Sequence, residues 1–183
     1  MSLGGYGMRI TAVAALLLLA GAAHAQSDDE FSAGPYLGVA GSWGIEQFQN
    51  DGAGSYDDVG LDTRLGFRFL PYLAAEAEWE YHPGFDTPLG GLTTHALTAN
   101  LKGFYVNENT GPFEPYALVG AGALITDRRG SGDYGFAMRF GGGMNMKFSD
   151  HVAFKVEGSY VQPTRDVDDR EYVSVVWGLE LSL

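Results

Sequence analysis

The sequence predicts an all-β fold: a closed, eight-stranded, antiparallel up-and-down β-barrel with its apolar face outside and its charges inside. Three observations predict it. Apolar and other residues alternate with period 2 in eight segments bounded by turn-forming residues, and no helical period follows residue 25. The connections between the segments alternate between short and long. Finally, the charged residues within the segments share one face and balance in number. Asp62, Glu76, Glu78, Glu80, Glu157 and Glu180 stand against Arg64, Arg68, Lys102, Arg139, Lys147 and Lys155.

The first strand, 35–48, carries no charge before Glu46, which belongs with the rims, as do Glu114 and Glu171. The second, 59–69, puts Asp62, Arg64 and Arg68 opposite Leu61, Thr63, Leu65, Phe67 and Phe69. The third, 73–82, sets Glu76, Glu78 and Glu80 against Leu73, Ala75, Ala77, Trp79 and Tyr81. Lys102 lies on the less apolar face of the fourth, 92–106, and the fifth runs over 113–126. In the sixth, 134–148, Arg139 and Lys147 oppose Phe136, Met138, Phe140, Met144, Met146 and Phe148. The seventh, 152–161, carries Lys155 and Glu157. The eighth, 171–183, sets Glu180 against Val173, Val175, Trp177, Leu179, Leu181 and Leu183. Tight connections fall at 70–72, 107–112 and 149–151, and long ones, rich in Gly, Asp and Asn, at 49–58, 83–91, 127–133 and 162–170.

A soluble barrel would present this charged face to water and would have no reason to balance it. A lumen closed to water does, because an unpaired buried charge costs several kcal/mol. The wall then faces acyl chains, and short turns with longer outer loops fit a transmembrane β-barrel. With a three-residue turn at 70–72, Phe69 faces Leu73, Arg64 faces Glu78, and Glu76 lies diagonal to both Arg64 and Arg68. That pairing predicts that exchanging Arg64 and Glu78 is tolerated while each single change is damaging. Aromatic residues gather at both ends, as headgroup girdles require: Phe69, Tyr72, Tyr105, Phe113, Tyr116 and Phe148 at one, and Trp43, Phe48, Trp79, Tyr81, Phe136 and Tyr160 at the other.

Composition limits the chemistry. Among 183 residues, 11 Lys and Arg stand against 23 Asp and Glu, a formal net charge of −12, which argues against nucleic acid as a partner. The absence of cysteine removes disulfides, thiolate nucleophiles and Cys-ligated zinc. Residues 1–25 read as a cleaved signal peptide: Arg9, an apolar run, then Ala23-His24-Ala25, with Met8 as the expected start. The run is too short for a membrane-spanning anchor. Residues 26–33 form a short lead-in, and 34–183 the barrel, with both barrel termini on the short-turn side.

Few residues suggest catalysis. His82 and His151 read as a strand end and a turn, whereas His95 falls on the apolar face without a His-x-Ser motif, and Ser159 and Ser174 fall on the charged face. Asp57-Asp58 and Asp166-Val167-Asp168-Asp169 lack the ligand spacing of an EF-hand and read as solvated loops. Gly41-Ser42-Trp43 is too short a match to signal a lipocalin. Gly120-Ala121-Gly122 and Gly141-Gly142-Gly143, inside strands, suggest bends or close packing. No cofactor or metal is expected.

The opening Gly34-Pro35-Tyr36-Leu37-Gly38, the fifth-strand Pro115-Tyr116-Ala117-Leu118-Val119-Gly120-Ala121-Gly122 and the closing Gly178-Leu179-Glu180-Leu181-Ser182-Leu183 carry a resemblance. The chain resembles the small, porin-like, eight-stranded outer-membrane barrels, the group that includes the transmembrane domain of outer membrane protein A and outer membrane protein X. The resemblance spans 34–183 and implies the outer membrane of a Gram-negative cell. It makes Gly178, Leu181 and Leu183 part of a C-terminal assembly signal read by the barrel-assembly machinery, although the family usually ends in Phe or Trp. Outer-membrane lipid and lipopolysaccharide are the other implied partners, together with a loop ligand of unknown identity. The expected function is that of an integral outer-membrane protein with a structural or surface-interaction role, without enzymatic activity or a large open pore. A soluble barrel carrying an apolar ligand and a lipid A-modifying enzyme are the alternatives.

Overall fold

Eight strands form along the alternating segments: β1 Gly34–Glu46, β2 Tyr56–Leu70, β3 Leu73–Thr87, β4 Gly90–Phe104, β5 Phe113–Arg128, β6 Ser131–Lys147, β7 Val152–Thr164 and β8 Tyr172–Ser182. The structure, a computed structural model, describes residues 33–46, 56–87, 90–106, 111–128, 131–164 and 171–183. Each strand is antiparallel to its neighbours, and β8 returns to β1 to close the barrel. Leu183 N–H completes the seam by donating to Pro35 O at 3.0 Å. Closure leaves no free sheet edge, so every strand spends its backbone donors and acceptors on neighbours. Among the described residues no helix is long and apolar enough to cross a membrane.

Two expectations about the connections are corrected. The turn between β2 and β3 is Pro71-Tyr72, with Leu70 rather than Phe69 opposite Leu73. A register shift between Arg68 and Leu70 absorbs the extra residue, so Arg64 still faces Glu78. Second, 83–91 and 127–133 are not long loops. β3 reaches Thr87 before β4 starts at Gly90, and β5 reaches Arg128 before β6 starts at Ser131. Pro83, which has no N–H for a ladder, falls with Gly84 in a register shift between His82 and Phe85, so the strands pair again beyond it. The regular alternation of short and long connections therefore fails. Two-residue connections join these hairpins at the loop end, while 105–112 is a long connection at the turn end, where β1 begins and β8 ends.

Glycines admit bulky partners at the barrel wall. Tyr36 and Gly66 are register partners across β1 and β2, and a Cβ on Gly66 would lie 2.1 Å from the Tyr36 ring. Tyr116 and Gly143 repeat the arrangement across β5 and β6, with 2.6 Å to the Tyr116 hydroxyl. Both tyrosines thereby fold across the lumen. Tyr116 is buried, which corrects its place in the outward girdle. Inside, two apolar layers form: Tyr36, Ala74, Phe104, Tyr116 and Leu118 toward the turn end, and Ala96, Leu124, Ala137, Val161 and Tyr172 toward the loop end.

Candidate functional site

Between those apolar layers the lumen is ionic. Arg64 is its hub: fully inside, it donates to Asp62 at 2.8 Å, Glu76 at 3.1 Å and Glu78 at 3.1 Å, and to both oxygens of Glu157 at 2.6 and 2.8 Å. The two-pronged contact with Glu157 crosses from β2 to β7 and uses the planar guanidinium to hold opposite walls together. Arg139 makes a second centre, with Glu78 at 2.6 Å and Glu80 at 2.7 Å. Lys102 lies 2.9 Å from Glu76 and 3.8 Å from Glu180, with its ammonium 4.5 Å from the Tyr116 ring centroid. Lys155 is held more loosely, 3.9 Å from Asp62.

Ten of the twelve residues read as a charge lattice lie buried: Asp62, Arg64, Glu76, Glu78, Glu80, Lys102, Arg139, Lys155, Glu157 and Glu180. Arg68 and Lys147 instead mark the turn-end rim, their side chains 16% and 50% exposed. They meet Glu114, at 3.1 and 3.0 Å, rather than Glu76. Glu114 points inward at the foot of β5, so it belongs to the lumen face and not to the outer rim. The balance of charges is corrected accordingly. With Glu114 included, acids outnumber bases by one on this face, and the buried middle alone holds six acids and four bases.

Neutral donors supply what the cations do not. Tyr36 donates to Glu76 at 2.9 Å, Tyr116 to Glu157 at 2.8 Å, Asn100 to Glu76 and Glu78 at 3.2 and 2.5 Å, and Asn145 to Glu180 at 3.0 Å. Glu80 accepts from Ser174 and Tyr172 and pairs with His82 Nε2 at 2.9 Å. These donors occupy inward positions that sequence alternation marks, yet a search for charged residues passes over them. The sequence places His82 at a strand end, but β3 continues past it and the side chain is fully buried.

Among the described residues the lumen shows no serine–imidazole–acid relay. Ser42 Oγ lies 3.4 Å from His82 Nε2, but the same nitrogen contacts Glu80, so serine and acid do not bracket the imidazole as a relay requires. His95 faces outward, stacked on Tyr81 at 4.9 Å and beside Trp79 at 6.1 Å, on the opposite side of the wall from Ser159 and Ser174. Asp57 accepts from the Trp43 indole at 3.1 Å and Asp58 from Gly84 N–H at 2.7 Å, so both brace the loop end. Asp62, Glu78 and Glu80 approach one another closely enough to suggest a cation, but Arg64 and Arg139 already occupy the space between them. The stretch 166–169 and Phe48 lie outside the described residues.

The outer wall is the inverse of the lumen. Leu37, Val39, Leu61, Leu65, Leu97, Leu101, Val119, Phe140, Val156 and Leu179 are exposed, and between the rims no described outward position is charged. Soluble monomers rarely expose so many contiguous apolar side chains to water. Phe69, Tyr72, Tyr105, Phe113 and Phe148 ring the turn end, while Trp43, Trp79, Tyr134 and Phe136 ring the loop end.

The sequence profile of the outer membrane protein β-barrel domain matches residues 12–178. The chain belongs to this family. The barrel is an integral protein of the cell outer membrane, with no large pore through its filled lumen. Its fold is similar to that of Neisserial surface protein A (TM-score 0.68, 13% identity, covering 84% of this chain and 100% of that one). It is also similar to Ail, the attachment invasion locus protein of Yersinia pestis, in complex with the heparin analogue sucrose octasulfate (TM-score 0.59, 12% identity, 84% and 100% covered). A third likeness is to the N-terminal β-barrel domain of Pseudomonas aeruginosa OprF (TM-score 0.56, 9% identity, 83% and 100% covered). No curated protein sequence matches the chain.

Proposed function

We propose that this outer-membrane barrel is a sealed, non-enzymatic scaffold that presents its loop end for contacts at the cell surface. The observation that carries this reading is the filled lumen: Arg64, bonded to four carboxylates, lies between an apolar layer at each end. Eight strands enclose an interior just wide enough for side chains to fill. The binding capacity then rests with the loops, while the wall supplies anchorage in lipid.

On this reading residues 1–25 are removed as a leader, 26–33 lead in, and 34–183 form the barrel. The turn end faces the periplasm, and lipopolysaccharide packs against the loop-end aromatics. The barrel-assembly machinery reads Gly178, Leu181 and Leu183 at the closing strand. The twelve lattice residues serve as structural fasteners rather than as a substrate path. In a planar bilayer the purified barrel is expected to give no stable nanosiemens-scale steps. A persistent open pore of that size contradicts the sealed scaffold.

A further inference from the structure

We propose that His95, with Trp79 and Tyr81, forms a site on the outer wall for the phosphate of a lipid A molecule in the loop-end leaflet. Trp79 and Tyr81 are successive outward positions of β3, and Tyr81 pairs across the ladder with His95 of β4. Their rings gather into one patch, with centroids 4.9 Å apart for Tyr81 and His95, 6.0 Å for Trp79 and Tyr81, and 6.1 Å for Trp79 and His95. Anchorage in lipid does not require a histidine there. Between the rims no described outward position is Lys, Arg, Asp or Glu, so among these positions the His95 imidazole alone can carry a positive charge.

The hydrogen bonds around the patch point to an acceptor from outside the chain. Polar neighbours at this end spend their donors on protein: Thr63 on Trp79 O at 3.5 Å, Thr93 on Pro83 O at 3.0 Å, and the Trp43 indole on Asp57 at 3.1 Å. The Trp79 indole, the Tyr81 hydroxyl and the His95 imidazole donate to no group among the described residues. Asp127, diagonal to His95 toward the loop end, engages a partner of its own. Three unspent donors on an apolar wall are costly unless their surroundings supply acceptors. Depth says which part of a lipid does so. Eight residues separate Leu73 at the turn end from Tyr81. At about 3.4 Å per residue and a tilt of about 40° they rise about 21 Å, close to the upper edge of an apolar band about 25 Å tall. Hydrocarbon gives way to headgroups at that edge. A phosphate matches the patch because it offers several anionic oxygens to clustered donors and pairs with an imidazolium. Its source is lipid A, whose phosphates sit directly above the acyl chains, because the loop end lies in the outer leaflet on the orientation proposed above, on which this site rests.

The test uses the barrel refolded into dodecyl maltoside micelles, which carry no phosphate, and titrated with bis-phosphorylated lipid A. Native mass spectrometry counts retained lipid A, and nitrogen-15 histidine resonances report the imidazoles, with His95→Leu assigning its own signal. The natural barrel is expected to retain one lipid A and to shift the His95 resonance while those of His82 and His151 stay in place. His95→Leu is expected to lower retention at least fivefold, with unchanged heat-dependent gel mobility showing that the barrel has formed. Lipid A stripped of phosphate is expected to lower it equally on the natural chain. Should His95→Leu fail to fold, Tyr81→Phe, which removes a single hydroxyl, is measured in its place and is expected to lower retention at least twofold. Equal retention by variant and natural barrels, retention that survives removal of the phosphates, or an equal His95 shift with phosphatidylglycerol overturns the proposal. Orientation is read separately. The chain has no cysteine, so an impermeant maleimide on intact cells reports a Gly132→Cys variant alone. Absence of labelling on well-folded barrels overturns the outer-leaflet orientation, whereas loss of the His95 dependence in micelles overturns the site and leaves the orientation standing.

Discussion

Arg64 reaches carboxylates on three strands: Asp62 on its own, Glu76 and Glu78 on β3, and Glu157 on β7 across the lumen. Removing the guanidinium strands four buried acids together. Arg64→Met is expected to destabilise the reconstituted barrel by about 3–5 kcal/mol, read from urea unfolding in vesicles. The same geometry reverses the expectation drawn from an isolated pair. Exchanging Arg64 and Glu78 places a carboxylate among Asp62, Glu76 and Glu157 and a guanidinium beside Arg139, so the exchange should fold no better than either single change. The facing of Arg64 and Glu78 was legible because antiparallel register is local. Glu157 was not, since its contact with Arg64 crosses a closed lumen whose diameter alternation does not encode. A second residue-scale outcome concerns Gly66. Gly66→Ala drives a methyl into the Tyr36 ring and should cost about 1–3 kcal/mol, and Tyr36→Ala in the same chain should recover part of that loss.

At the scale of strands, period-2 alternation placed all eight, because a wall with opposite environments on its two faces enforces that period. What it missed was where strands stop. Gly, Asp and Pro in 83–91 and 127–133 resemble loop formers, but hairpins closed by two-residue connections keep these segments paired, and a register shift accommodates Pro83. His82 was misplaced for the same reason: once β3 is extended, an apparent strand-end imidazole becomes an interior partner of Glu80. Strand β8 carries the closure, pairing with β1 from Tyr36 opposite Ser182 to Glu46 opposite Tyr172. Deleting residues 178–183 removes the turn-end half of that seam and exposes an unpaired edge. The truncated chain is expected to lose its heat-dependent gel mobility and to disappear from the outer-membrane fraction. Normal recovery there would show that the seam is dispensable.

The whole molecule is an inverted one, and its energetics follow from that. A soluble barrel gains stability by burying leucines and phenylalanines centrally. This one leaves them outside, where acyl chains solvate them, and fills its centre with guanidiniums, ammoniums, carboxylates and the hydroxyls and amides that complete their hydrogen bonds. The inversion was legible in the sequence from coherent charged faces on several strands. The identity of a loop ligand was not, because the chemistry of such contacts resides in connections that carry no periodic constraint. The three tryptophans report on the inversion directly, since Trp43, Trp79 and Trp177 all face outward. In vesicles whose phospholipids carry brominated acyl chains, tryptophan emission from the folded barrel should be strongly quenched, while aqueous acrylamide should quench it weakly. Emission indifferent to the bromines, from a chain that also folds in plain buffer without lipid, would mean that the apolar face is turned toward the centre.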